Sequence, residues 1–572
     1  MERVGRRTWL LLGLIVALGG AGRFYDLDWA GPFYHFHTDE HVVFEWGLSL
    51  KDDFFGASRK AKFFVYGPLC QYLVALLTWG REALFGPLDL SRPPDYAEFT
   101  VMGRSISAFL GTATIPLVFL VARRLSSNLA GLFAAALTAF GVIHLRDSHF
   151  LSVDATLTFL CVLAWWCAIR MAEVGRTKFY VWTGAVIGAA VLTKYTGAFL
   201  LAVAGVAHLC APGRPVRSDS WRTWGRWVAK GALPGVIAVL VFLALFPHIF
   251  WDFDKFWNDV DTLIVSVAMG RGHEEYPPIW VAHFIGVNRL PFWFSNVLWW
   301  GLGPLFEVWG LLGIAWLAWR RDRAAVMALA FPVAFFAAAS QVATPFARYG
   351  MQLVPGLGVV AAMFSVDLMR TRLLRWPAMV ATTVVLAGTT FYAAAYMNVF
   401  IQDDSRLAAS QYLLRHVPIN AKILVEPTHN TPPMGSHLAV PGFYTDYVLW
   451  GPYNERHSYY HLYALDTYRY LYDTRPSQAD KRHYIDERLA LVDYIVMDDT
   501  YTQWYDGLPA VAFGAVQEYY ADLFAGRRGF HLMETFKTYP SLFGIEINDD
   551  AAELTFRLAD HPRIFVFARN SP

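Results

Sequence analysis

Long apolar runs separated by short polar turns fill the first 400 residues, and then the pattern changes. A helix needs roughly 20 apolar residues to cross the hydrocarbon core of a bilayer. Eleven runs meet or approach that length, near residues 8–24, 101–122, 128–146, 155–172, 178–193, 196–211, 228–250, 299–319, 324–342, 350–369 and 377–399. Lys and Arg concentrate in cytoplasmic loops. With these spans, the N-terminal MERVGRR, Arg123-Arg124, the loops Arg170 to Lys178 and Arg214 to Lys230, Arg320-Arg321 with Arg323, and Arg370 to Arg375 all fall on that side. Residues 64–86 are apolar enough for a further span, but counting them puts every later basic loop outside. They are expected to be interfacial or re-entrant, anchored by Tyr66, Tyr72 and Trp79. The first run has no clean small-x-small cleavage site before Arg23 and reads as a signal anchor.

This topology places four pieces on the outer side: residues 25–100, the turn 147–154, the Trp-rich loop 251–298, and everything after about 400. A membrane domain, 1–400, is thus followed by an extracytoplasmic domain, 401–572, of ordinary domain size. Within it Ser405 to His416 reads as an amphipathic helix. Lys422 to Glu426 (KILVE), Tyr494 to Met497 (YIVM) and Arg563 to Ala568 (RIFVFA) read as strands, so an α/β fold is expected. The aromatic block Tyr444 to Tyr472 reads as a packed loop layer, with a sugar- or acceptor-binding surface as the functional alternative.

Composition agrees. The chain is 55% hydrophobic and 17% charged, where soluble domains carry about 25% charge. Disorder is excluded, and a purely soluble enzyme does not fit. The net charge of +1 averages unlike halves: residues 401–572 hold 22 acidic and 15 basic side chains, leaving 25 and 33 in the first 400. Cys70, Cys161, Cys167 and Cys210 all lie in apolar stretches, with spacings that fit no disulfide framework or Cys-based zinc site.

Charges at membrane depth are costly and tend to be functional. Four places stand out, all at the outer rim. His35-Phe-His37-Thr-Asp39-Glu40-His41 offers carboxylates for base chemistry and ligands for a metal, or is a solvated loop. His144 to Asp154 forms an outer turn in which Asp154 is a helix cap or a site residue. Thr193-Lys194-Tyr195 and Arg348-Tyr349 place cations where the positive-inside trend disfavours them, and such groups bind phosphate. Arg104 is similar, with a snorkelling role as the alternative.

As an ordered set these features resemble the GT-C membrane glycosyltransferases, in particular the bacterial branch of the protein O-mannosyltransferase family (glycosyltransferase family 39), which includes the aminoarabinose transferase of lipid A. The resemblance rests on Asp39-Glu40, Tyr66-Gly67-Pro68-Leu69 (a Pro-Pro-Leu-like segment with one proline replaced), Arg104-Ser-Ile-Ser-Ala, Ala122-Arg123-Arg124-Leu125, Ser148-His149-Phe150 leading to Asp154, Leu192-Thr193-Lys194-Tyr195, and Arg348-Tyr349 with Pro355. It covers roughly residues 1–400. It implies a polyprenyl-phosphate sugar donor, an acceptor on a lipid, protein or polysaccharide, and inversion at the anomeric carbon. It gives Asp39 the role of base or acceptor orienter, with Glu40 beside it. Asp154 becomes the second acidic position, and Lys194 and Arg348, with Arg104, the donor-phosphate ligands. Tyr66, His149, Tyr195, Tyr349 and the loop residue His273 are candidate substrate contacts. A divalent metal (Mg, Mn or Zn) serves only some relatives, and the candidate ligands are Asp39, Asp154, His149, His273 and Glu274. A flippase or transporter is the competing reading, but such proteins place ionisable groups near the midplane in repeated halves. No nucleic acid is expected as a partner.

Overall fold

The computed structural model describes residues 4–29, 37, 39–59, 63–90, 92–271, 276–426, 428, 430–434 and 460–570. His35, His273, Glu274 and most of the Tyr444 to Tyr472 block lie outside the described residues.

Every one of the eleven runs is helical. The chain-order helices used below are α1 (Arg6–Phe24), α2 (Glu40–Asp52), α3 (Leu69–Phe85), α4 (Pro93–Leu125), α5 (Asn128–Phe140), α6 (Val142–Arg146), α7 (Val153–Val174), α8 (Thr177–Thr193), α9 (Leu200–Cys210), α10 (Trp221–Leu245), α11 (Pro304–Arg320), α12 (Arg323–Ala339), α13 (Leu353–Arg370) and α14 (Arg375–Ile401). Among the described residues, six helical stretches are both long and apolar enough to cross a membrane. The other runs are shorter or broken. Gly141 separates α5 from α6, and Gly303 splits the run 299–319. Ser127, Ser220 and Asp322 cap α5, α10 and α12 by accepting from backbone N–H groups two or three residues into each helix. α8 and α10 approach closely through Gly184 and Gly188, where a Cβ would lie 2.5 Å from the Pro234 carbonyl oxygen and 2.8 Å from that of Ala238.

The apolar segment 64–86 forms the 17-residue α3. It packs with α2 around Phe44, Trp46, Phe64, Cys70 and Val74, and the pair is tied by Lys51 to Glu82 at 2.9 Å.

After α14 comes the helix α15 (Ser405–His416) and then a five-stranded mixed sheet. Its strands are β1 (Lys422–Val425), β2 (His461–Ala464), β3 (Tyr494–Asp498), β4 (Phe530–Phe536) and β7 (Ile564–Arg569), in the order β2-β1-β3-β7-β4. A small hairpin supplies β5 (Ser541–Leu542) and β6 (Ile545–Glu546). β1 runs parallel to β2 and β3, and β7 antiparallel to β3 and β4.

The sheet domain does not hang free. Its segment 547–560 enters the core of the helical bundle, with Phe556 and Ala559 buried beside Tyr396 and Phe400 of α14. Asp560, fully buried, accepts from Arg146 Nε at 3.0 Å and from the Tyr396 hydroxyl at 2.8 Å. His561 bridges Asp560 and Asp549 at 3.0 and 2.9 Å. Burial alone would lower its imidazole, but these two carboxylates raise it to about 9. Burying Arg146, Asp147, Asp560 and His561 together is tolerated because each is paired and hydrogen-bonded.

Candidate active site

Four short segments meet at the end of the bundle that faces the sheet domain. Asp39 precedes α2, and Asp154 lies in the first turn of α7. Lys194 ends α8, and Arg348 sits in the short helical turn Ala347–Gly350 before α13. Arg348 Nη1 is paired directly with Asp39 Oδ2. Its Nε lies 4.0 Å from Asp154 Oδ2, and neither of those two atoms has a hydrogen-bond partner among the described residues. Lys194 Nζ donates to Asp154 Oδ1 at 2.9 Å, and Gln352 Nε2 donates to the same oxygen at 2.9 Å. The Tyr66 hydroxyl donates to Asp39 Oδ2 at 3.3 Å. Lys194 also lies over the rings of Tyr349 and Tyr66, 4.7 and 5.9 Å from their centroids.

Two carboxylates and two cations make this cluster neutral overall. Burial would raise the Asp39 carboxyl, but Arg348, helped by His37 and Lys194, holds it below its ordinary value. Asp39 is therefore an anion at neutral pH.

Backbone geometry sets these positions. Tyr66 and Lys194 are brought together at Gly67, where a Cβ would lie 2.0 Å from the Leu192 carbonyl oxygen. This close approach accounts for glycine at one position of the Pro-Pro-Leu-like segment. The Arg348 turn is held from outside: the Ala347 N–H donates to Thr555 Oγ1 at 3.2 Å, and Arg146 Nη2 donates to the Thr555 carbonyl at 3.2 Å.

Other residues singled out in the sequence stand elsewhere. Glu40 and Arg104 form a fully buried pair at 2.9 Å. Glu40 also accepts from the Leu151 N–H at 2.9 Å, and Arg104 donates to the Leu27 carbonyl at 2.8 Å and lies over Trp29. These contacts pin the segment before α2 to α4 and to the turn before α7. His149 stacks on Phe400 at 4.2 Å and its Nδ1 lies 3.1 Å from the Leu145 carbonyl, so it packs against α14 instead of facing the cluster. The Tyr195 hydroxyl donates to the Phe64 carbonyl at 2.7 Å and supports the segment that carries Tyr66. Gln352 was not singled out, although an amide one helical turn beyond Arg348 in an apolar span is a readable signal.

Among the described residues no three His, Cys, Asp or Glu side chains form a group able to hold a metal ion. Asp39 and Asp154 each face a cation instead, so the described candidate ligands do not fit a divalent ion.

A helical membrane bundle with this rim cluster and a sheet domain docked over it defines the class: a multi-pass membrane protein with the GT-C fold. Residues 32–254 match the family model described as dolichyl-phosphate-mannose-protein mannosyltransferase. Dolichyl-phosphate-mannose–protein mannosyltransferase 4 of Saccharomyces cerevisiae is 25% identical over 197 residues, which cover 32% of this chain and 25% of that protein. The corresponding enzyme of Candida albicans is 25% identical over 185 residues, 30% of this chain and 24% of that one. The chain thus spans about a quarter of the length of these curated relatives. In structure it resembles the Archaeoglobus fulgidus oligosaccharyltransferase tethered with an acceptor peptide, with a TM-score of 0.52 and 13% identity, over 90% of this chain and 72% of that one. ArnT from Cupriavidus metallidurans bound to undecaprenyl phosphate aligns at TM-score 0.47 and 20% identity, over 72% and 73%.

Proposed function

We propose that this protein is a glycosyltransferase that moves a sugar from a polyprenyl-phosphate donor to a hydroxyl acceptor at the outer face of the cytoplasmic membrane. The observation that carries this reading is the convergence of Asp39, Asp154, Lys194 and Arg348 from four distant segments into one neutral cluster at a single end of the bundle. The partial match to the mannosyltransferase family supports it. The charge pattern supports the orientation, since Arg123, Arg124, Arg170, Arg320 and Arg370 lie at the opposite ends of their helices from this cluster. A further proposal is that residues 1–400 form the catalytic membrane domain and 401–572 the extracytoplasmic one.

The donor's phosphate is taken up by Lys194 and Arg348. Asp39 accepts the proton of the acceptor hydroxyl as its oxygen forms a bond to the anomeric carbon. The bond from that carbon to the phosphate oxygen breaks, and the polyprenyl phosphate leaves with the electron pair. Its developing charge falls on the two cations. One displacement inverts the anomeric centre, so no carboxylate acts as a covalent nucleophile. Asp154, fixed by Lys194 and Gln352, presents its free oxygen to a substrate hydroxyl placed between it and Arg348 Nε.

Arg348 has two suitors in this scheme. In the structure it is paired with Asp39, and an arriving phosphate competes for it. As that pair loosens, burial acts on Asp39 with less opposition and its basicity rises just when a base is needed. The test is transfer of a labelled sugar from a polyprenyl-phosphate donor in membranes. Asp39→Asn and Asp154→Asn should each abolish most of it, and full activity in both would overturn the site.

A further inference from the structure

At the far end of the bundle, α4, α7 and α8 border a half-open cavity of about 330 Å³ lined by Leu120, Arg123, Arg124, Trp166, Arg170 and Phe179. Its depth follows from helix geometry. From Asp154 to Arg170 along α7 the rise is roughly 24 Å, and from Arg104 to Arg123 along α4 roughly 28 Å. The cavity therefore lies about one hydrocarbon thickness from the candidate active site, at head-group level of the other leaflet.

Three guanidinium groups line it. Glu173 binds two of them, Arg124 Nε at 2.6 Å and Arg170 Nη1 at 2.8 Å. Arg123 Nε donates to the neutral Asn128 amide oxygen at 2.9 Å. Lys178 adds a fourth cation beside the cavity, over Phe179 at 5.2 Å. Four cations thus stand beside the Glu173 carboxylate. Leu120, Trp166 and Phe179 supply an apolar wall beside these charges. A basic rim next to an apolar wall suits a molecule with an anionic head and a hydrocarbon tail. Guanidinium forks match phosphate oxygens, and basic pockets between membrane helices recognise anionic head groups.

We propose that this cavity binds a lipid-borne phosphate in the leaflet opposite the candidate active site. The same chemistry belongs to an anionic glycerophospholipid and to a free polyprenyl phosphate. The experiment is native mass spectrometry of the full-length protein with phosphatidylglycerol, polyprenyl monophosphate or phosphatidylcholine. At least one anionic lipid should be retained over phosphatidylcholine. Arg123→Gln with Arg170→Gln should weaken that retention about tenfold, the loss of a charge-assisted contact. Arg123→Lys with Arg170→Lys should keep most of it. Retention of phosphatidylglycerol identifies a bulk lipid, and retention of the polyprenyl phosphate alone identifies the carrier. Equal retention of all three lipids overturns the proposal even where the Gln variant does not fold. So does unchanged binding in the Gln variant, or an equal loss in the Lys variant.

Discussion

Asp39→Asn separates two effects that the cluster ties together. Removing a general base costs about 10²–10⁴ in rate, so kcat should fall by that factor. Donor binding should move the other way. Arg348 is paired with Asp39 between side chains only 20% and 13% exposed, and a hydrogen bond to a charged group is worth about 1.5–3 kcal/mol. A donor phosphate must displace that contact in the wild-type protein and need not in the variant. At about 1.4 kcal/mol per tenfold, donor affinity should tighten by about tenfold or more. The asparagine has nearly the same shape, so packing around Tyr66 is kept. Equilibrium binding of a labelled polyprenyl-phosphate sugar in nanodiscs, with single-turnover transfer on the same sample, measures both. A kcat within threefold of wild type would refute Asp39 as base. Unchanged or weaker donor binding would refute the competition for Arg348.

Because Arg348 holds the Asp39 carboxyl below its ordinary value, kcat/KM should stay level from neutral pH down past the usual carboxylate range, falling only as pH drops through the lowered value. In Arg348→Gln only His37, Lys194 and His41 still oppose burial, and the acid limb of the pH profile of whatever residual transfer remains should move up. Gln352→Ala removes one donor to Asp154 and should cost about tenfold in kcat/KM, measured by the same transfer assay. Gly67→Ala drives a methyl group into the Leu192 carbonyl and should lower activity more than thermal stability. His561 is raised to about 9, so its stabilisation is complete below the ordinary imidazole value and is lost as pH rises through about 9. Melting temperatures between pH 6.5 and 10 should fall for wild type and stay flatter for His561→Gln.

The periodicity of apolar runs carried the helical architecture, because each membrane helix must satisfy its own backbone and so announces itself locally. The breaks at Gly141 and Gly303 are also local. Asp39, Asp154, Lys194 and Arg348 stood out because a charge at membrane depth needs a reason. Glu40 shows the limit of that rule. It adjoins Asp39, but Asp39 flanks the start of α2 while Glu40 is its first residue, so the two side chains leave the backbone in different directions. One therefore faces the cluster while the other turns inward to Arg104, and the sequence holds no mark of which is which. The insertion of residues 547–560 into the bundle is less readable still. It depends on contacts such as Arg146 with Asp560, 414 residues apart, and no local pattern reports pairing at that separation. Thr555, which steadies the Arg348 turn, is invisible for the same reason.

The central claim is sugar transfer from a lipid phosphate by this one cluster. Its most direct measurement is the release of polyprenyl phosphate, with matching sugar transfer to a hydroxyl acceptor, by the purified full-length protein in nanodiscs. The expected result is stoichiometric release and transfer by the wild-type protein, lost in both Asp39→Asn and Arg348→Gln. Transfer that persists at the wild-type rate in both variants would contradict the role of the cluster, and a polyprenyl-phosphate sugar that is bound but never consumed would contradict the enzyme itself.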